Sequence, residues 1–149
     1  MESVEGKGQE MSIEVISHVR QVENATENAM KRAARMIGGS VAGHAIERCP
    51  VDTGLLRNSI TFALGGEAPQ KQVYYDDSKE QSGEYDGVAT KDEDNEITVY
   101  IGTNVQYAPY QELGAPNIHL NARPFLRPAM EENVREIEQI IKQTLGSLK

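Results

Sequence analysis

The chain has 149 residues, a formal charge of −8, 38% hydrophobic residues, two Phe, no Trp and a single cysteine. That length fits one domain able to bury about 68–70% of its unfolded surface, and the lone Cys49 excludes an internal disulfide or a Cys-rich metal site and fits a reducing compartment. Ten acids stand against three lysines between Glu67 and Glu96, so the remainder is close to neutral, which argues against a reader of phosphate backbones built on clustered Lys and Arg.

No apolar run approaches the ~18 residues of a membrane span, and residues 1–10 lack the apolar stretch of a signal peptide. The expectation is therefore a soluble chain made in the cytosol. Its thin apolar content also suits a subunit that completes its core against neighbours.

Residues 1–11 are rich in Gly and charge and read as a flexible tail. Residues 12–149 then form a single domain. Ser12 to Ser17 alternates like a short strand. From Val22 the period becomes helical, with Val22, Ala25, Ala29, Ala33, Met36, Ile37, Val41, Ala45 and Ile46 on one face. A helix run to Arg48 would be about 40 Å long. Gly38-Gly39 inside it costs roughly 1 kcal/mol per Gly relative to Ala, which predicts a kink or a close packing contact.

Pro50 ends the helix, because a residue before Pro is pushed out of the α region. Leu56, Asn58, Ile60 and Phe62 then alternate with Arg57, Ser59 and Thr61, the pattern of a strand from Leu56 to Leu64. Residues 65–94 form an acidic insertion, a long loop or a hairpin anchored by Tyr74, Tyr75 and Tyr85. Glu96 to Gly102 is the clearest strand. Residues 103–122 make an irregular bridge with a short helix at Pro109–Leu113. Arg123-Pro124 opens a last helix with the stripe Leu126, Met130, Val134, Ile137, Ile140, Ile141 and Leu145, stopped by Gly146. The fold class is α+β: a small, mainly antiparallel sheet covered by a long N-terminal helix and a C-terminal helix.

Asp52-Thr53-Gly54 invites a catalytic reading as in aspartic proteases. No second Asp-Thr-Gly or Asp-Ser-Gly supplies the partner carboxylate, and a Cys-Pro after a helix replaces the apolar strand that precedes the motif in those enzymes. The favoured reading is a structural corner of Pro50, Val51, Asp52, Thr53, Gly54, Leu56, Arg57 and Ser59. Its Asp and Thr side chains bond backbone amides, and its Gly takes positive φ. Gly38-Gly39-Ser40-Val41-Ala42 lacks the last Gly of a hydrolase elbow and sits in a helix. His18, His44, His119 and Cys49 show no zinc spacing, and Asp92 to Glu96 lacks the Gly and late Glu of a calcium loop. No catalytic, cofactor or metal site is expected. Tyr107, Ala108, Pro109, Tyr110 and Phe125 are open to two readings, a minor core under the helices and a subunit interface enriched in Tyr and Arg.

Two spaced blocks carry a resemblance. The first is Pro50-Val51-Asp52-Thr53-Gly54 with the Leu-Arg-x-Ser-Ile of Leu56, Arg57, Ser59 and Ile60. The second runs from Gly102-Thr103 through Tyr107-Ala108-Pro109-Tyr110-Gln111-Glu112-Leu113-Gly114 to Arg123-Pro124-Phe125-Leu126-Arg127-Pro128-Ala129. Over roughly residues 25–145 the chain resembles the neck or minor-tail component family of long-tailed bacteriophages, named after the tenth gene product of a lambdoid coliphage. The long acidic segment departs from that pattern.

The resemblance implies a non-enzymatic virion protein that joins head and tail. It would act as a tail-completion or neck component in a homo-oligomeric ring, most plausibly a hexamer, assembled in the host cytoplasm. The implied partners are further copies of itself, a head-closure or connector protein and a tail terminator or tail-tube protein, with DNA passing through the channel without specific binding and no membrane. Tyr107, Tyr110, Glu112, Arg123, Phe125 and Arg127 are the residues assigned to contacts between subunits or with the tail tube. An acidic segment lining the channel would repel DNA and let it slide. The competing readings are a neighbouring connector ring protein, such as a tail terminator or head-closure protein, and a small Asp-dependent hydrolase.

Overall fold

The β-branched run Ile97–Thr103 forms the central strand of the domain because both of its edges find partners. The computed structural model describes residues 2–7, 10–17, 24–85 and 97–146. They form β1 (Glu2–Lys7), β2 (Glu10–Ser17), α1 (Asn24–Arg48), α2 (Leu55–Ser59), β3 (Thr61–Leu64), β4 (Val73–Tyr75), β5 (Ser82–Glu84), β6 (Ile97–Thr103), α3 (Ala108–Leu113), α4 (Leu126–Glu131) and α5 (Val134–Gly146), with a 3-10 turn at Pro116–Ile118.

One antiparallel sheet has the order β1-β2-β6-β3, and β4 and β5 form a separate hairpin. Register is set by apolar pairs: Ile13 faces Ile101 and Val15 faces Val99 across β2 and β6, while Phe62 faces Ile101 and Leu64 faces Val99 across β3 and β6. Shifting β3 or β6 by one residue would turn its apolar set away from the core. Beyond β3 the chain turns back at Gly65-Gly66, and the Gln70 amide donates to the Phe62 carbonyl at 3.0 Å while the Lys71 amide donates to Thr61 Oγ1 at 3.1 Å.

The long helix lies across this sheet. Ala29, Ala33, Ala34, Ile37, Val41, Ala42 and Ala45 are all buried, which confirms the small-residue stripe, although Met36 is 53% exposed and lies outside it. A Cβ on Gly38 would stand 2.5 Å from the Phe62 ring and 2.8 Å from Val99 Cγ2. The glycine is therefore the point of closest approach between helix and sheet, the packing contact that the Gly pair predicts. Val22 and Glu96 lie outside the described residues.

Three segments differ from their sequence expectation. Residues 1–11, read as a tail, contain β1, paired with β2 from Glu2 opposite Val15 to Lys7 opposite Glu10. Ladder hydrogen bonds to an adjacent strand outweigh the Gly-rich composition there. Leu55–Ser59 is one helical turn rather than the start of a strand, and the strand begins only at Thr61. Part of the acidic insertion is a hairpin, and residues 86–94 lie outside the described set. The C-terminal segment is two helices rather than one. Asn133 Nδ2 donates to the Ala129 carbonyl at 2.7 Å, and Glu132 and Asn133 take turn geometry between α4 and α5.

That break turns Val134 out to 47% exposure while Leu126, Ala129, Met130 and Ile140 stay in the core. The C-terminal pair packs on α1 as well as near β2. Glu136 reaches both Ser40 and His44, and Glu132 pairs with Arg48, so α5 runs antiparallel to α1.

Candidate functional site

The corner begins where α1 stops. Gly54 adopts φ 87°, a left-handed conformation that only glycine takes cheaply, and caps α2. Thr53 Oγ1 accepts the Leu55 amide at 3.3 Å, and the Asn58 amide closes the turn on the Gly54 carbonyl at 2.9 Å. Asp52 is exposed, so of the Asp-Thr pair it is Thr53 that caps a backbone amide here. The apolar alternation over 56–62 was therefore outweighed by turn chemistry: a left-handed Gly followed by Leu-Leu-Arg-Asn-Ser starts a helix turn before the strand.

What the corner does is hold the β4–β5 hairpin. Arg57 pairs with the Asp77 carboxylate. Asn58 Nδ2 donates to the Tyr75 carbonyl at 2.8 Å and to Asp77 Oδ1 at 3.0 Å. The Asp77 amide returns a bond to the Thr53 carbonyl at 2.9 Å. The hydrogen bond from Asn58, and after it the Arg57 guanidinium, hold the Asp77 carboxyl below the ordinary carboxylate range. A Cβ on Gly54 would stand 2.4 Å from the Asp77 carboxylate, so conformation and space both demand glycine.

Ser59 is buried, donates to the Leu56 carbonyl at 2.6 Å and meets Thr103 Oγ1 on β6. Tyr85 donates to the Ser59 carbonyl, and Tyr74, stacked edge-on against Tyr85, donates to Asn104 Oδ1 at 2.6 Å. Tyr74 and Tyr85 are thus the hairpin's anchors, whereas Tyr75 faces outward at 50% exposure.

The second block is built around Glu112. Its side chain is buried, and its carboxylate accepts the amides of Phe125 at 2.7 Å, Leu126 at 3.0 Å and Arg127 at 3.0 Å. These are the orphan donors at the start of α4, so a carboxylate from α3 caps a helix thirteen residues on. The Arg123 amide donates to the Gln111 carbonyl at 2.6 Å, and Ala115 bridges Leu120. Between them the α3 turn, the loop through Ile118 and the start of α4 become one unit. An open cleft of about 380 Å³ lined by Leu113, Pro116, His119 and Leu120 lies on this loop.

The two blocks meet. Tyr107 hydrogen-bonds the backbone of Leu56, and burial pushes its phenol up while the Leu56 bond opposes the shift. Cys49, at the end of α1, lies within the fields of Arg57, Arg123 and Glu112, and burial raises its thiol to about 11. A thiol held protonated in this way is a core residue rather than a nucleophile.

Of the residues assigned to contacts, the structure divides the set. Glu112 and Phe125 are inside the chain, the first as a cap and the second wholly buried, so neither side chain faces a partner. Tyr107, Tyr110, Arg123 and Arg127 are exposed, alongside Leu113 at 61% and Ile118 at 67%. The aromatics therefore divide: Phe125 lies in the core, while Tyr107 and Tyr110 are exposed. Sequence reasoning missed the cap, whose signal is a Glu on one short helix and a Pro-Phe-Leu-Arg start thirteen residues later.

Ser40, His44 and Glu136 form a further polar cluster. The Ser40 hydroxyl donates to Glu136, and His44 Nε2 lies 2.8 Å from the other oxygen. The serine is paired to the acid rather than to the imidazole, so the arrangement lacks the nucleophile–base bond of a hydrolytic triad. Among the described residues no group of three His, Cys, Asp or Glu converges at metal-binding distance.

Residues 13–114 match the family model described as "Bacteriophage HK97-gp10, putative tail-component". The chain belongs to that family. The match begins in β2 and ends at Gly114, just after α3, so it includes the corner, the hairpin and the first half of the second block. Family membership makes the chain a structural component of a phage tail, carried in the virion. No curated protein and no solved structure matches it.

Proposed function

We propose that this tail component acts at the neck, as a tail-completion ring of six identical copies at the top of the tail, through which DNA passes without specific binding. It works by assembly rather than catalysis, meeting a head-closure or connector protein on one side and a tail terminator or tail-tube protein on the other. The observation that carries this reading is the rigid outward surface of Tyr107, Tyr110, Leu113 and Ile118, apolar and aromatic, fixed from beneath by the Glu112 cap. Exposed large apolar and aromatic side chains grouped on one short helix and the turn after it fit a site of protein contact.

The test is removal of the gene from the phage. Filled heads and separate complete tails by electron microscopy, rejoined when the protein is added to the lysate, are the expected result. Tails of abnormal length would identify a terminator instead, and heads that leak DNA a head-closure protein. Asp52→Asn probes the hydrolase alternative: with an exposed carboxylate, the variant should fold and rejoin heads to tails as the wild type does.

A further inference from the structure

Residues 97–130 contain one carboxylate, Glu112, and it is buried beneath the α4 amides. The surface of this stretch therefore presents apolar groups and cations without a single acid, on a chain whose formal charge is −8. Tyr107, Tyr110 and Leu113 follow at steps of three on the solvent side of α3, opposite the buried Ala108 and Glu112. Arg123 is tied beside them through Gln111, and Arg127 sits in the first turn of α4.

The β4–β5 hairpin carries the complementary chemistry. Its inner face holds Tyr74 over Gly83 and is locked to the corner and to Asn104. On its outer face Val73 stands opposite Glu84 and Tyr75 opposite Ser82, and all four are exposed. Glu80 is exposed at the tip. One patch is thus apolar with cations, and the other is apolar with Glu80 and Glu84 beside a single Lys79 at the tip.

We propose that the outer hairpin face of one copy docks on the α3 surface of the next, with Glu80 and Glu84 toward Arg123 and Arg127 around Val73, Tyr75, Tyr110 and Leu113. The inference rests on the ring reading and names its contact. Two different patches of one chain joined head to tail generate a ring when the rotation closes. Opposite charges at the rim select the register and are screened by salt, with a Debye length of about 8 Å at physiological ionic strength. The hairpin acids are thereby assigned to a neighbouring copy rather than to the channel wall.

Sedimentation velocity tests the contact on the wild type and two double variants, Arg123→Glu with Arg127→Glu and Glu80→Lys with Glu84→Lys. The wild type should associate, less so at high salt. Each double variant should lose at least tenfold in self-association while keeping its circular dichroism. An equal mixture of the two should recover it, since every acidic face then meets a basic one. Should a reversal fail to fold, Arg123→Gln and Glu84→Gln give the same order with smaller losses. A wild type that stays monomeric throughout overturns the ring reading and this contact with it. Association untouched by either reversal, or lost in both without recovery on mixing, overturns the contact alone; in the second case the arginines serve another acidic surface, such as DNA.

Discussion

Replacing Glu112 with Gln keeps the shape of the side chain and removes its charge, which makes it a sharp probe of the α3–α4 junction. One carboxylate oxygen accepts the Phe125 and Leu126 amides and the other accepts Arg127. Gln has a single acceptor oxygen. Turned toward Phe125 and Leu126, it keeps two bonds but as neutral ones, and its NH2 then points at the Arg127 amide. A hydrogen bond to a charged group contributes about 1.5–3 kcal/mol and a neutral one about 0.5–1.5, so the two retained bonds weaken by roughly 1 kcal/mol each and the third becomes a donor–donor clash of similar size. The expected loss is about 3–4 kcal/mol, a large share of the roughly 5–15 kcal/mol typical of a domain. For a chain of this length it lowers Tm by about 10 °C. Urea unfolding followed by circular dichroism measures it, with the midpoint shifted and the slope unchanged. Glu138→Gln on the exposed side of α5 is the control and should stay within about 0.5 kcal/mol of the wild type. A Glu112→Gln variant as stable as that control would refute the cap.

Gly38→Ala should destabilise by about 1–2 kcal/mol, because overpacking against Phe62 and Val99 exceeds the gain in helix propensity, whereas Gly43→Ala, with open space around its Cβ position, should stabilise by about 0.5–1 kcal/mol. Chemical denaturation of both variants checks this, and shifts of the same sign would contradict the close approach at Gly38. Cys49, with its thiol raised by burial from 9.0 to about 11, should react with iodoacetamide at pH 8 on the order of 100-fold more slowly than in urea; equal rates would remove it from the core. Glu136 is lowered from 4.5 chiefly by the Ser40 hydroxyl and then by His44, and Asp77 from 3.8 chiefly by Asn58. A carboxyl depressed in the folded state adds stability above its unfolded value, and that stability is lost as pH falls through the folded value. The Tm gap between the wild type and Asp77→Asn or Glu136→Gln should therefore narrow as the pH falls below the ordinary carboxylate range; a gap that stays constant down that acid range would show that the charges are not its source.

The parts of the fold legible in the sequence were those with a strong period or strong punctuation. The small-residue stripe of α1, its stop before Pro50, β2, β6 and the short helix after Tyr107 all have a local cause. So do the Gly54 conformation and the role of Gly38. The misreadings arose where a local pattern met a partner distant in sequence. Leu56 to Phe62 alternates convincingly, yet Thr53, Gly54 and the docked hairpin make its first four residues part of a helical turn. The stripe from Leu126 to Leu145 is continuous, yet Asn133 diverts a backbone acceptor and splits it. Arg57 and Glu112 carried recognisable motifs, but nothing local says that one holds Asp77 and the other three amides of α4. Polar residues in a motif were easiest to assign to a partner outside the chain, and the structure turns several of them inward.

The fold-back of residues 65–71 onto β3 also governs how this sheet relates to others in a crowded assembly. With the Phe62 carbonyl and the Thr61 hydroxyl already engaged by Gln70 and Lys71, that rim of the sheet offers an incoming strand a blocked template. The opposite rim is β1. Among the described residues strand addition is thus left to one border of the sheet, where a strand of another chain would pair once and then stop. A sheet terminated on one side this way cannot propagate without limit.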